Sequence, residues 1–250
     1  GASRGIGEGI ARVFAAEHPK LVLCGRDKER LQKVAKSLPL PRSHVSTVIA
    51  DITRASGMKK IIDAAYKRHG VIDVFINNAG VGARKNLLDT TEEDYDLTMD
   101  TNLKAVFYSF KMLLPRMLKQ DFGHIINISS GAGRIGMPGL AVYSASKAAL
   151  NAFSEAVAGE VRNDNIKISV LAPGSTDTSF GSGRSSKKSA HRSATVRLTV
   201  DEVAEAVLFL GKCGGLKRKN QLGDLVLPIA AVRGEGTSND YLLPEVPALP

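Results

Sequence analysis

Short runs of Val, Ile and Leu recur along this chain, each followed by a longer stretch of helical period. LVLC (21–24), VSTVIA (45–50), VIDVFI (71–76), HIINIS (124–129), IKISVLA (166–172) and DLVLPI (224–229) have the length and β-branched content of strands. A strand that is apolar at nearly every position buries both faces, as in parallel sheets covered by helices on each side. Helices are expected from Asp27 to about Leu38, Arg54 to His69, Thr91 to Lys119, Ala141 to Val161 and Val200 to Leu210. Thr90 with Glu93, and Thr199 with Glu202, have the spacing of a capping box at two of these starts. Repeated βα units joined by right-handed crossovers predict an α/β fold with a doubly wound parallel sheet. No internal repeat or low-complexity linker divides the chain, so one domain over residues 1–250 is expected.

Composition narrows the function classes. With 43% hydrophobic and 24% charged residues in 250, the chain has the balance of a soluble globular protein. No apolar run approaches the ~18 residues of a membrane helix, and no membrane partner is expected. Cys24 and Cys213 lie far apart with no CxxC pattern, which suits a reducing compartment, the cytoplasm or an organelle matrix. His18, His44, His69, His124 and His191 form no cluster, so no metal site is expected. The 34 basic against 25 acidic residues, net +9, favour anionic ligands. Absence of Trp, aromatics at 5% and the lack of any helix-turn-helix or zinc motif argue against a nucleic-acid partner.

Polar and glycine residues collect where open α/β sheets bind ligands, at the carboxyl ends of the strands. Gly1, Gly5 and Gly7 form GxxxGxG at the entrance to a helix beginning near Ile6, where glycines and free N–H groups can receive a phosphate. Asp51 follows the strand 45–50, and Asn77, Asn78, Ala79 and Gly80 follow the strand 71–76. Singly, each has a plainer reading as a tight turn or a helix N-cap. Tyr143 alone of five tyrosines has a lysine four residues on, Lys147, which places both on one helix face. An adjacent ammonium favours phenolate and would lower the phenol pKa toward neutrality. Ser130 ends the strand HIINIS, and Asn102 lies in TNLKAVF; a turn, a cap and a solvated helix face are the alternatives for these four residues. Gly174 to Leu198 is a Ser/Gly-rich stretch with five Arg or Lys and one acid, expected to be a substrate loop able to steer anionic substrates.

In order and spacing, GASRGIG, NNAG, Asn102, ISSGAGRIG, YSASKAAL and Pro173-Gly174 resemble the short-chain dehydrogenase/reductase family over nearly the whole chain. The resemblance implies a Rossmann-type sheet in the order 3-2-1-4-5-6-7. A first strand and a threonine would precede Gly1, so the sequence as it stands reads as truncated. It implies that Tyr143 exchanges the substrate proton, Ser130 holds the carbonyl oxygen, Lys147 binds the nicotinamide ribose and lowers the Tyr143 pKa, and Asn102 holds a water. Cofactor contacts would come from Gly1, Ser3, Arg4, Gly5, Ile6, Gly7, Arg26, Asp51, Ile52, Asn78, Ala79, Gly80, Tyr143, Lys147, Pro173, Gly174 and Thr176. Arg4 and Arg26, placed where a 2′-phosphate lies, select NADP(H) over NAD(H), although Asp27 could also accept from a 2′-hydroxyl or cap a helix. The implied activity is hydride transfer between NADP(H) and a ketone/secondary alcohol, 3-oxoacyl or another small carbonyl compound, possible anions among them. Family tails end differently from QLGDLVLPIAAV, which weakens a role in fatty-acid synthesis. The alternative is a non-catalytic NADP-binding sensor on the same fold. A wide apolar stripe, Leu103 to Met117, suits core and also a homodimer or homotetramer interface.

Overall fold

A computed structural model describes residues 1–178, 180 and 197–214, the last four as helix backbone. The expected strand 224–229, the Cys213 side chain and most of the loop 174–198, with Arg184, Lys187, Lys188 and Arg192, lie outside the described residues. Seven α-helices and five strands are described: α1 (Gly5–Ala15), β1 (Leu21–Gly25), α2 (Lys28–Ser37), β2 (Val45–Ile49), α3 (Ala55–His69), β3 (Val74–Asn77), α4 (Glu92–Met99), α5 (Ala105–Gln120), β4 (Gly123–Ile128), α6 (Ala141–Glu160), β5 (Ile166–Leu171) and α7 (Val200–Gly214). Asp27 caps α2 by accepting from the Arg30 amide, the helix-capping role open to it from sequence.

Every ladder is parallel. β1 pairs with β2, Leu21 opposite Val45, while β3, β4 and β5 form a second set with Val74 opposite His124 and Gly123 opposite Ile166. Among the described residues the two sets are not hydrogen-bonded to each other. The glycine-rich segment lies between their carboxyl ends. Ala2 N–H donates to the Cys24 carbonyl at the end of β1, and Asn78 Nδ2, just past β3, donates to the Gly1 carbonyl at 3.1 Å.

β4 is buried at all six positions, as its continuous apolarity demands. Successive residues face opposite ways: Ile125 packs with Met58, Ile62, Phe110, Leu113 and Leu150 from α3, α5 and α6. Ile126 and Ile128 pack with Ile10 of α1 and Ala204 and Val207 of α7. Helices therefore cover both faces, the doubly wound arrangement expected. Burial of each such side chain contributes about 1.5–3 kcal/mol before entropy is counted. α1 and α7 cross at Gly9, where an added Cβ would come within 2.3 Å of Val200.

Three expectations need correction. The expected helix 91–119 is interrupted: residues Asp100–Lys104 form a π-turn between α4 and α5, a local widening that a 3.6-residue period cannot register. Its start is capped by Thr91 with Asp94, not by Thr90 with Glu93. Thr90 instead donates its hydroxyl to the Asn86 carbonyl within a preceding 3₁₀ turn. The strand expected at 71–76 begins only at Val74; Val71 is 46% exposed. The second capping box is as expected, with Thr199 and Glu202 bonding reciprocally at the start of α7.

Candidate active site

The π-turn aims Asn102 inward. Its side chain is buried, Oδ1 accepting from Val81 N–H and Nδ2 donating to the Val81 carbonyl, both at 2.8 Å. Nδ2 also donates to Ser146 Oγ at 3.0 Å. Asn102 thus grips both sides of one residue in the loop after β3; both of its N–H donors are engaged, which leaves a lone pair of Oδ1 and the backbone for the water expected on it. π-turns of this kind concentrate at functional sites because the extra residue redirects a side chain.

Ser130 follows β4 in extended conformation, its Oγ accepting from Ala132 N–H as it caps a short turn at Gly131–Gly133. On α6, Tyr143 and Lys147 share a face as their spacing requires, with Nζ 6.0 Å from the Tyr143 ring centre. Lys147 is 4% exposed, and Nζ donates to the Ile128 carbonyl at 2.8 Å, which leaves its remaining protons uncommitted to the residues around it. Burial pushes the Lys147 ammonium down to about 8. Burial likewise raises the Tyr143 phenol, and hydrogen bonding from Ser130 opposes the rise without overcoming it. The expected lowering of the phenol by Lys147 is therefore not what this site shows; at 6 Å from the ring, and with its charge penalised by burial, the ammonium does not offset desolvation.

The backbone closes around this pair because it lacks side chains. A Cβ on Gly82 would lie 2.6 Å from Tyr143 Cδ2, one on Gly80 3.6 Å from Lys147 Nζ, and one on Gly133 2.8 Å from Lys147 Cβ. Phe180 sets its ring 5.7 Å from that of Tyr143. Ile135, Met137 and Phe180 are all exposed apolar side chains.

The glycine loop adjoins this cluster. A Cβ on Gly7 would be 2.0 Å from the Gly1 oxygen, so only glycine permits the approach; Gly5 adopts φ +54°, against the Thr178 methyl. Ser3 lies against Gly25, immediately before Arg26. Asp51 accepts from both Thr53 N–H and Thr53 Oγ, and these bonds, followed by Arg26 and Arg54, hold its carboxyl below the usual range. Pro173 accepts from Gly131 N–H, fastening the Pro-Gly turn to the loop after Ser130, and Thr176 Oγ donates to the Gly174 carbonyl. Ile6 and Ile52 are partly buried and pack against the core. Arg4 and Arg26 are both exposed. Ser146, Val81 and Gly82 were not singled out from sequence; the glycine spacing NNAGVG and the serine before Lys147 were the available signals.

A family model for the short chain dehydrogenases matches residues 1–189. An uncharacterized oxidoreductase of Staphylococcus aureus (strain MW2) is 34% identical over 209 residues, 84% of this chain and 87% of that protein. Among solved structures, the closed form of a serine dehydrogenase complexed with NADP+ superposes with TM-score 0.76 at 29% identity, covering 84% of this chain and 86% of that one. An alcohol dehydrogenase from the archaeon Thermococcus sibiricus complexed with 5-hydroxy-NADP gives 0.75 at 29%, covering 88% and 90%.

Proposed function

The chain belongs to the short-chain dehydrogenase/reductase family of oxidoreductases, and from that premise we propose that it transfers a hydride between NADP(H) and a ketone/secondary alcohol, with Tyr143 exchanging the proton. The observation that carries this reading is the convergence of the Tyr143 phenol, the Ser130 hydroxyl and the Lys147 ammonium beside a loop that only glycines can form.

The residues present fit the cofactor. The close approach of Gly7 to Gly1 leaves α1 with a bare N-terminus for a diphosphate, and Lys147 has protons to spare for ribose hydroxyls. Arg4 and Arg26 supply charge for a 2′-phosphate, a reading supported by the NADP-type ligands of the structural relatives. When bound, the nicotinamide supplies or accepts the hydride.

The chain's own groups manage the oxygen. In the reducing direction Ser130 donates to the carbonyl oxygen, stabilising the charge that develops there, and the Tyr143 hydroxyl delivers its proton to that atom. Burial keeps the phenol protonated at neutral pH, the form this direction needs. Lys147, held by Ile128, places positive charge near the phenolate left behind. The exposed ring of Phe180 beside Tyr143 supports a substrate with apolar substituents beside the carbonyl. We read the chain as a homo-oligomer as well, on the support of a hollow of about 420 Å³ between the π-turn, α5 and α6, lined by Leu103, half-exposed Phe107, Ala149 and Phe153 with Asp100 and Lys104 at its edge.

The test is NADPH oxidation with a panel of ketones, 3-oxoacyl thioesters and quinones. Tyr143→Phe removes only the hydroxyl and is expected to lower kcat at least ~100-fold while NADPH binding persists. Full turnover by that variant would refute the assignment of Tyr143.

A further inference from the structure

Ser146 sits one residue before Lys147 and is fully buried. Its hydroxyl donates to the Tyr143 carbonyl at 2.7 Å, which commits its only proton. Toward Asn102 it can then only accept, and it does so from Nδ2 at 3.0 Å. That constraint agrees with the Val81 backbone on which way the Asn102 carboxamide points. With Nδ2 turned to Ser146, Oδ1 meets the Val81 N–H and Nδ2 also reaches the Val81 carbonyl. The reversed carboxamide would set a donor against the Val81 N–H and an acceptor against the Val81 carbonyl, two buried mismatches.

Val81 is the residue between the two glycines on which the site rests. Gly80 lies beside Lys147 Nζ and Asn102 Oδ1, and Gly82 lies flat under the Tyr143 ring. Fixing the Val81 peptide therefore fixes the backbone that covers both groups.

We propose that Ser146 is a positioning residue: by tying the Asn102 carboxamide to α6 it locks residues 80–82 against Tyr143 and Lys147. This rests on the reading of Tyr143 and Lys147 as the proton-transferring pair. Without the hydroxyl, Asn102 keeps its two bonds to Val81 but loses its tie to α6, so the Asn102–Val81 unit, and residues 80–82 with it, gains a second arrangement relative to Tyr143 and Lys147. The phenol then loses part of its cover, so its titration moves toward that of an ordinary phenol.

The test uses the full chain carrying Ser146→Ala, with Ser154→Ala as a control. Ser154 is another buried serine of α6, bonded to Leu150 and Asn127 away from the site. Two quantities are read: steady-state kinetics with NADPH and a carbonyl substrate, and the phenol titration of Tyr143 by ultraviolet difference against Tyr143→Phe. For Ser146→Ala, kcat is expected to fall roughly tenfold with KM for NADPH within about twofold, the pattern of misplaced groups in an intact binding site. The Tyr143 midpoint is expected to move downward. Ser146→Cys keeps the volume with a poor hydrogen-bonding atom and carries the same readings where Ser146→Ala gives no folded protein. If kcat and midpoint both match those of Ser154→Ala, the proposal is overturned while the proton-transfer reading stands. If Tyr143→Phe turns over at the full rate, the proton-transfer reading falls, and the Tyr143 midpoint alone decides whether Ser146 positions the loop.

Discussion

Acidification tests the centre of the sheet that carries Ser130. His124 opens the inward-facing run of β4 and is 1% exposed. Nε2 pairs with Ser169 Oγ on β5 at 2.8 Å, whereas Nδ1 is buried with no partner in the structure. Burial first, and then the Lys167 charge, push the imidazole from 6.5 down to about 4. The unfolded chain therefore takes up the proton before the folded one does, so this contribution to stability is complete above pH 6.5 and is lost as pH falls from there to about 4. The gap is worth about 3 kcal/mol in full, of which about 2 kcal/mol falls between pH 7 and pH 5. Urea unfolding of the protein and of His124→Asn at both pH values isolates the share due to this residue, because the slope with pH is read and not the absolute stability. The wild type is expected to lose about 2 kcal/mol more than the variant between pH 7 and pH 5. Equal losses would refute the reasoning and place the acid sensitivity elsewhere. The acid limb of an activity profile must accordingly be measured against stability, since opening of β4 removes Ser130 along with it.

Gly7→Ala places a methyl against the Gly1 oxygen, and fluorescence titration is expected to show NADPH affinity lowered more than tenfold. Arg26→Asp reverses a charge beside Asp51, so NADPH affinity should drop at least tenfold with little change for NADH; parallel titrations decide it, and equal affinity of the unmodified protein for both cofactors would contradict the selection by arginine. For Lys147, whose folded value near 8 lies below the ordinary 10.5, NADPH binding should weaken as pH rises through about 8. That dependence should be missing from Lys147→Met.

The sequence disclosed the sheet because strands buried on both faces cannot alternate polar and apolar residues; 45–49 and 123–128 fall within a residue of their expected bounds. That Tyr143 and Lys147 share a helix face and that Ser130 follows a strand end were legible for a related reason, since helical spacing and strand ends fix where side chains emerge, whereas Asn102 entered only through the family resemblance. The π-turn was not legible, because one extra residue in a helix of continuous apolar content leaves the periodicity almost intact. The phenol's titration was not legible either. Spacing along α6 brings Tyr143 and Lys147 to one face, but the balance between desolvation and charge depends on how far the Gly80–Gly82 and Gly133 backbones close over them, which only tertiary packing determines.

On the proposed reading, the polar groups along α6 hold chemistry and substrate selection apart in one site. Lys147 binds the Ile128 carbonyl, Ser146 accepts from Asn102, Ser144 accepts from Met137 N–H and Asn151 donates to the Gly133 carbonyl. One helix thereby anchors the ends of β3 and β4 and the loops that follow them, all through buried or half-buried bonds whose loss is costly. The selective surface is attached differently. The segment leading to Phe180 is fastened at its base, where Asp177 N–H donates to the Leu198 carbonyl and Leu198 N–H to that of Ser175. Phe180 reaches the site by a ring contact with Tyr143, and its N–H donates to Thr178 Oγ1. Changes along the polar face of α6 thus act on proton transfer and appear in kcat. On that reading, trimming Phe180 removes apolar contact beside Tyr143 and is expected to appear first in KM.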